Sequence, residues 1–403
     1  MTQSHTSTNK LSATTVWIMA IATGLSVANL YYNQPLLAEL QREFGVSVKD
    51  VGIIPSLTQV GYALGMLFLV PMGDMFERRK LIVLTSGAVT AALLVAATAH
   101  SLWVMVVASL LIGLFTMVPQ LIIPFAAHLA SDENRGKVIG IIMSGLLIGI
   151  LCSRTLAGFI GDLFGWRVVF YFAAALMMAL AACLYFMLPA SEVTYSGSYV
   201  GLIKSIGQLV KEEPILRESA VVGAMIFGVF SSIWATLIFL LSSPHFGMGA
   251  KEVGLFGLLG AAGAMAAPVV GRVSDKKGAR TGVAIGLGVL ALSVLILWGS
   301  GASIIGLIVG IFILDFGIQA AHIGNQTRVF ALRADARSRL NTVYMFSYFM
   351  GGALGSLLGS YAWNTGQWQG VCVVLSVGTL IAILAFWLGR NSKPASQPTQ
   401  LPG

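Results

Sequence analysis

Apolar runs of about 20 residues recur along the whole chain, separated by short polar segments. A helix of that length rises about 30 Å, the thickness of a bilayer's hydrocarbon core. None of the runs shows the strict alternation, at half that length, that a barrel strand requires. They predict helices near 14–34, 51–72, 81–99, 102–127, 138–159 and 168–188. After a polar stretch, six more follow near 219–241, 253–271, 281–299, 303–324, 341–361 and 369–389. Twelve crossings place both termini on one side of the membrane. Within the polar stretch, apolar residues of 199–211 recur at helical spacing, which reads equally as an amphipathic helix on the membrane surface and as a plain tether. The tail 391–403, rich in Pro, Ser and Gln, predicts disorder.

The polar segments carry a repeat. Gly73-Asp74-Met75-Phe76-Glu77-Arg78-Arg79-Lys80 and Gly271-Arg272-Val273-Ser274-Asp275-Lys276-Lys277-Gly278-Ala279-Arg280 each follow an apolar run, and their Asp residues lie 201 positions apart in a chain of 403. Further landmarks align at nearly the same offset: Arg135 with Arg337, Lys137 with Arg339, Gly149 with Gly351, and Trp166 with Trp368. A repeat at half the chain length predicts two related bundles, 1–188 and 219–390, joined by a linker, 189–218. The fold class is therefore all-α, with twelve transmembrane helices in two pseudo-symmetric six-helix halves.

Composition supports a lipid solvent: 57% of residues are hydrophobic and 10% charged, where soluble chains carry about 25% charged residues. The net charge of +8 raises the question of nucleic acid, but the basic residues sort by loop and do not gather on one face. With the N-terminus inside, the outer loops hold Arg42, Lys49, Arg167 and Lys251, and most of the remaining Lys and Arg fall on the cytoplasmic side. That is the positive-inside bias, and it predicts a multi-pass orientation with both termini cytoplasmic and no nucleic-acid partner. The opening fifteen residues are polar and show no signal-peptide pattern, so the first helix is expected to remain. Cys152, Cys183 and Cys372 fall within predicted spans and read as packing residues without disulfide or metal-ligand spacing. No phosphate loop, paired catalytic carboxylates or nucleophile elbow appears. The expectation is a protein that is not an enzyme, has no cofactor or metal, and acts as a monomer.

The six-plus-six spans, the loop between spans 2 and 3, its copy between spans 8 and 9 and the longer central link resemble the major facilitator superfamily. That family's loop signature is Gly, then Leu-Ala-Asp-Arg, then Gly followed by Arg-Lys. The second copy matches it through Gly271, Asp275, Lys276, Gly278 and Arg280, while the first keeps Asp74, Arg78 and Arg79 but has Glu77 at the usual Gly. Ala28-Asn29-Leu30-Tyr31-Tyr32-Asn33-Gln34-Pro35-Leu36-Leu37 and Ala336-Arg337-Ser338-Arg339-Leu340-Asn341-Thr342 are similar to bacterial proton-coupled drug or sugar exporters. The Gly-Pro-x-x-Gly-Gly stretch common in span 5 of the family's antiporters is replaced here by Gly145-Leu146-Leu147-Ile148-Gly149.

Of sixteen acidic residues only Asp315 sits deep within a predicted span, and of twenty-four basic ones only Arg154 does. A charge at the bilayer centre costs about 2.5–3.5 kcal/mol on insertion scales, so such residues usually face a cavity and carry function. Burial favours the neutral form of an acid, which suits Asp315 to loading and releasing a proton; a structural hydrogen bond is the alternative. His322 lies two helical turns further on the same face, with Gln319 and Asn325 on or near that stripe, and reads either as a proton relay or as an interfacial histidine. Arg154 suits an anionic substrate group or a pairing across the bundle interface. By the resemblance, spans 1, 4, 7 and 10 line the central cavity, which implies substrate contacts for Asn29, Tyr32, Gln120, Trp234 and Asp315. For Tyr32 and Trp234 the alternative is the aromatic belt at the membrane surface. Asp74, Arg78, Arg79, Asp275, Lys276 and Arg280 form the candidate cytoplasmic gate, a latch between the halves. Gly65, Gly140, Gly145, Gly149, Gly351, Gly352 and Gly355 include the small-residue spacings that let helices approach closely.

The resulting expectation is a secondary transporter, a proton-coupled antiporter that exports a small organic solute or drug by alternating access. An importer or uniporter of a small metabolite is the first alternative, and a membrane sensor that does not transport is the second.

Overall fold

The structure, a computed structural model, describes residues 12–131, 134–190, 199–260, 277–333 and 336–391. The side chains of Asp74, Leu202 and Asn391 lie outside that description, as do Asp275, Lys276 and the tail beyond Asn391.

The first half contains α1 (Ala13–Ala28), α2 (Val48–Phe68), α3 (Arg78–Ala97), α4 (Leu102–Leu129), α5 (Arg135–Phe164) and α6 (Trp166–Met187). A surface helix, α7 (Tyr199–Glu212), leads to the second half. There α8 (Pro214–Leu241), α9 (Ala250–Phe256), α10 (Ala279–Trp298) and α11 (Ile304–Phe330) precede a long segment, Arg337–Leu388. That segment is two helices, α12 and α13, which meet at Gln367. Among the described residues there is no strand.

Two expected boundaries moved for local reasons. The first span was expected to run to residue 34, but α1 stops at Ala28. Proline follows at position 35, in the 3-10 turn Gln34–Leu36 and just before the short helix Leu37–Phe44. Proline suits the start of a helical turn and lacks the N–H needed to continue one. In α4, Thr116 interrupts the helix at ψ 52 and Pro119 lies in the first turn of the segment that resumes at Val118.

Both halves use glycine to bring helix backbones together. Gly24 of α1 lies against Gly145 and Gly149 of α5, and Gly228 of α8 lies against Gly351 and Gly355 of α12. A side chain at these positions would strike the partner's backbone, which is the basis of small-residue helix crossings in membranes. Gly140 differs, having open space around it.

The halves join at the end of the bundle away from the termini. Ser56 Oγ of α2 donates to Ala353 O of α12 at 2.8 Å, and Thr155 Oγ1 of α5 donates to Gly254 O of α9 at 2.8 Å. Gln59 of α2 is buried and uses both ends of its amide: Nε2 donates to Ser356 Oγ at 3.1 Å, and Oε1 accepts from Ser231 Oγ of α8 at 3.2 Å. Between α1 and α5 runs an apolar groove of about 400 Å3, lined by Trp17, Ile21, Tyr32, Ile148 and Leu156 among others.

Candidate central site

Helix α5 passes between the halves. It crosses α1 at Gly145 and Gly149 and reaches α9 at Gly158, which meets Ala250 and Gly254. Arg154 sits between those crossings and is 2% exposed. Its Nε donates to Gln34 Oε1 at 2.6 Å. The guanidinium lies 4.5 Å from the Tyr31 ring and 4.1 Å from the Trp234 ring, with Phe230 at 5.4 Å. The turn after α1 supplies Tyr31 and Gln34, three residues apart; α8 supplies Phe230 and Trp234, one helical turn apart. Electron-rich ring faces attract a cation when it is desolvated, which offsets part of the cost of burying the charge. Nη2 has no hydrogen-bond partner among the described residues.

Asp315 of α11 is 3% exposed, and neither of its oxygens has a partner among the described residues. The 3-10 turn Gly257–Gly260, which follows α9, carries glycine at both ends. A Cβ at Gly257 would lie 3.0 Å from Arg154 Cβ, and one at Gly260 would lie 3.5 Å from Asp315 Oδ2. Residues three apart eclipse on a 3-10 helix, so this glycine edge lets the cation of one half and the acid of the other approach. No ion pair joins them among the described residues.

The remaining candidates lie in both halves. Asn29 is 3% exposed with both amide atoms unpartnered. Trp234 is fully buried with Nε1 unpartnered, and Tyr32 is buried at the α1–α5 groove. Neither aromatic lies in a surface belt. Gln120 Nε2 donates to the Tyr62 hydroxyl at 3.0 Å. His322 is half-buried and shares a 3.0 Å hydrogen bond between Nδ1 and the Tyr344 hydroxyl. From it a run of rings leads to the arginine: Tyr348 stacks on Phe227 at 4.1 Å, Phe227 meets Phe230 at 5.4 Å, and Phe230 meets Trp234 at 6.0 Å. Asn325, on the expected stripe, is buried and accepts from Arg328 Nη1 at 3.4 Å.

The candidate gate behaves differently. Arg78 Nε donates to Gly73 O at 3.1 Å. Arg79 Nη1 donates to Leu188 O at 3.4 Å, lies over the Tyr185 ring and approaches Glu77 at 3.4 Å. Arg280 Nη1 donates to Gly389 O at 3.3 Å, lies over the Phe386 ring, and pairs with Glu218 at 3.2 Å. Arg280, Gly389 and Phe386 follow Arg79, Leu188 and Tyr185 at the same offset of 201. The repeat thus builds one clasp twice, each fastening the third helix of a half to its sixth. Among the described residues, the contacts of Arg79 and Arg280 lie inside their own halves, and the latch partners Asp74, Asp275 and Lys276 lie outside the described side chains.

Sequence reasoning did not single out Tyr31, Gln34, Phe230, Gln59 or Glu218. Tyr31 and Gln34 stood within the Asn29–Leu37 stretch noted for its resemblance, but the turn that aims them at Arg154 breaks helical periodicity. The signal for Glu218 was an acid at the edge of a span with Arg280 and Arg328, far away in sequence, as its partners.

A bundle of two six-helix halves, related by a sequence repeat and enclosing opposite charges at their interface, defines an integral membrane transporter. A sequence model of the Major Facilitator Superfamily matches residues 19–334 and 264–403, and the chain belongs to that family. It is 43% identical over 388 residues to the uncharacterized transporter YgaY of Escherichia coli O157:H7, covering 96% of this chain and 98% of that one. It is 33% identical over 379 residues to a probable transporter of Streptomyces coelicolor, covering 94% and 87%. Among solved structures, a bacterial homolog of the human lysosomal transporter Spinster, inward-facing and unoccupied, superposes with a TM-score of 0.75 at 16% identity, covering 95% and 98%.

Proposed function

We propose that the chain is a proton-coupled antiporter of the bacterial inner membrane that exports a small organic solute by alternating access, with Asp315 as the proton carrier. The observation that carries this reading is Asp315 itself, buried, unpartnered among the described residues and set against the same Gly257–Gly260 turn that meets Arg154 of the other half. An acid so placed changes charge at low cost, and each change alters its attraction for the half opposite. A proton that binds one conformation better than the other shifts the equilibrium between them, which differential affinity alone can do. The bias of basic residues among the loops supports cytoplasmic termini. On that orientation the end at which Gln59 and Thr155 join the halves faces outward.

The test is transport in proteoliposomes that enclose a pH reporter, screened with a panel of solutes. Asp315→Asn is expected to weaken solute counterflow and to lose solute-driven proton movement even at solute concentrations that restore counterflow. Unchanged proton movement in that variant overturns the assignment, and uptake driven by an inward proton gradient, instead of release, replaces export with import.

A further inference from the structure

The central site has two buried poles, and each keeps open hydrogen-bonding capacity: Arg154 through Nη2 on one half, Asp315 through both carboxylate oxygens on the other. Both side chains are more than nine-tenths buried. Trp234, whose ring lies 4.1 Å from the guanidinium, adds an unpartnered Nε1. No ion pair joins the poles among the described residues, so neither is neutralised by direct contact.

Ligand chemistry follows from that geometry. A cation that binds Asp315 meets repulsion from Arg154 and leaves its donor open. An anion that binds Arg154 meets repulsion from Asp315 and leaves its oxygens open. A molecule with both charges supplies each pole with its partner and brings no unmatched charge. The rings of Tyr31, Phe230 and Trp234 around the guanidinium suit an apolar or aromatic body.

We propose that the solute is a small zwitterion whose carboxylate binds Arg154 Nη2 and whose ammonium binds Asp315. The inference rests on the reading of this centre as the transport site, and it explains the exchange. The ammonium needs the carboxylate ionised and the proton removes that charge, so one acid holds either solute or proton.

Equilibrium binding to the purified full chain in detergent, without a proton gradient, tests it. The probes are phenylalanine, phenylpropionate and phenethylamine, which share one frame and carry both charges, the negative charge or the positive charge; leucine, isocaproate and isoamylamine repeat the comparison on an aliphatic frame. In at least one set the zwitterion is expected to bind about tenfold or more tightly than either singly charged analogue. Arg154→Gln is expected to remove the advantage over the amine, and Asp315→Asn the advantage over the acid, in variants whose thermal unfolding shows them folded. Equal or tighter binding of a singly charged analogue in both sets overturns the proposal, as does failure of both zwitterions to bind. Because no proton flux enters the measurement, zwitterion binding survives if proton exchange fails. Proton-coupled export of a singly charged solute alone would sink this inference and leave the transport reading standing.

Discussion

Arg154 is a buried cation held by rings and one amide, with no carboxylate bonded to it. Its planar face stacks on Tyr31 and Trp234, while Nε reaches Gln34. Lysine keeps the charge but has neither the plane nor the fork of donors. Arg154→Lys is therefore expected to lower transport about tenfold or more while the protein still folds, as measured by initial rates beside a thermal melt. Glu218 is the opposite case, a buried acid that bonds Arg280 at 3.2 Å and Arg328 at 2.8 Å. Removing one partner of a buried ionic cluster leaves the others uncompensated and costs about 3 kcal/mol. Glu218→Ala should lower the melting temperature more than Glu212→Ala, whose pairing with Arg333 is partly exposed. Both predictions follow from environment, which residue type alone does not reveal.

At the scale of elements the repeat is clearest where helices turn. Gly165, at φ 85, ends α5, and Gln367, at φ 47 and ψ −138, ends α12; a buried Trp opens the next helix in each case. The aligned tryptophans in the sequence located this corner. The backbone adds that the second copy makes it without glycine, in a region that strains an L-residue by about 1–3 kcal/mol. Gln367→Gly should therefore raise stability by about 1 kcal/mol, read as a higher melting temperature in detergent. Glycines inside helices separate in the same way. Gly149→Ala drives a Cβ into the backbone of Gly24, forcing α1 and α5 apart, whereas Gly140→Ala meets nothing within 4 Å. The first is expected to cost about 1–3 kcal/mol and the second close to nothing. Both glycines lie at small-residue spacings in the sequence; spacing marks which can be contacts, and helix crossing selects which are.

Across the whole molecule, Gln59 fastens the halves. One buried amide bonds α12 and α8 together with α2, and a state open at that end must break both bonds. Gln59→Leu removes them and leaves Ser231 and Ser356 to find other partners. Each buried hydrogen bond contributes about 1 kcal/mol, and two shift a two-state population by about tenfold or more. With Ser360→Cys as a reporter, buried beside Gly52 in the junction, the Gln59→Leu background should label faster with a membrane-impermeant thiol reagent. Unchanged labelling would mean that the remaining contacts hold the junction alone.

The sequence by itself determined the solvent, the helices, the duplication and the two charges that a bilayer does not tolerate idly. These follow from transfer free energy and periodicity, properties that act residue by residue along the chain. It also carried Asp315 and Arg154 as the pair to examine, because hydrocarbon makes any charge within a span conspicuous. Only the tertiary structure decided what each charge touches. The cage around Arg154 joins residues of α1's terminal turn and α8, the glycine turn after α9 lies against both Arg154 and Asp315, and Arg79 and Arg280 each bond the last helix of their own half. Such contacts depend on helix crossing and on breaks in periodicity, and neither is written in a hydrophobic pattern whose regularity ends where the site begins.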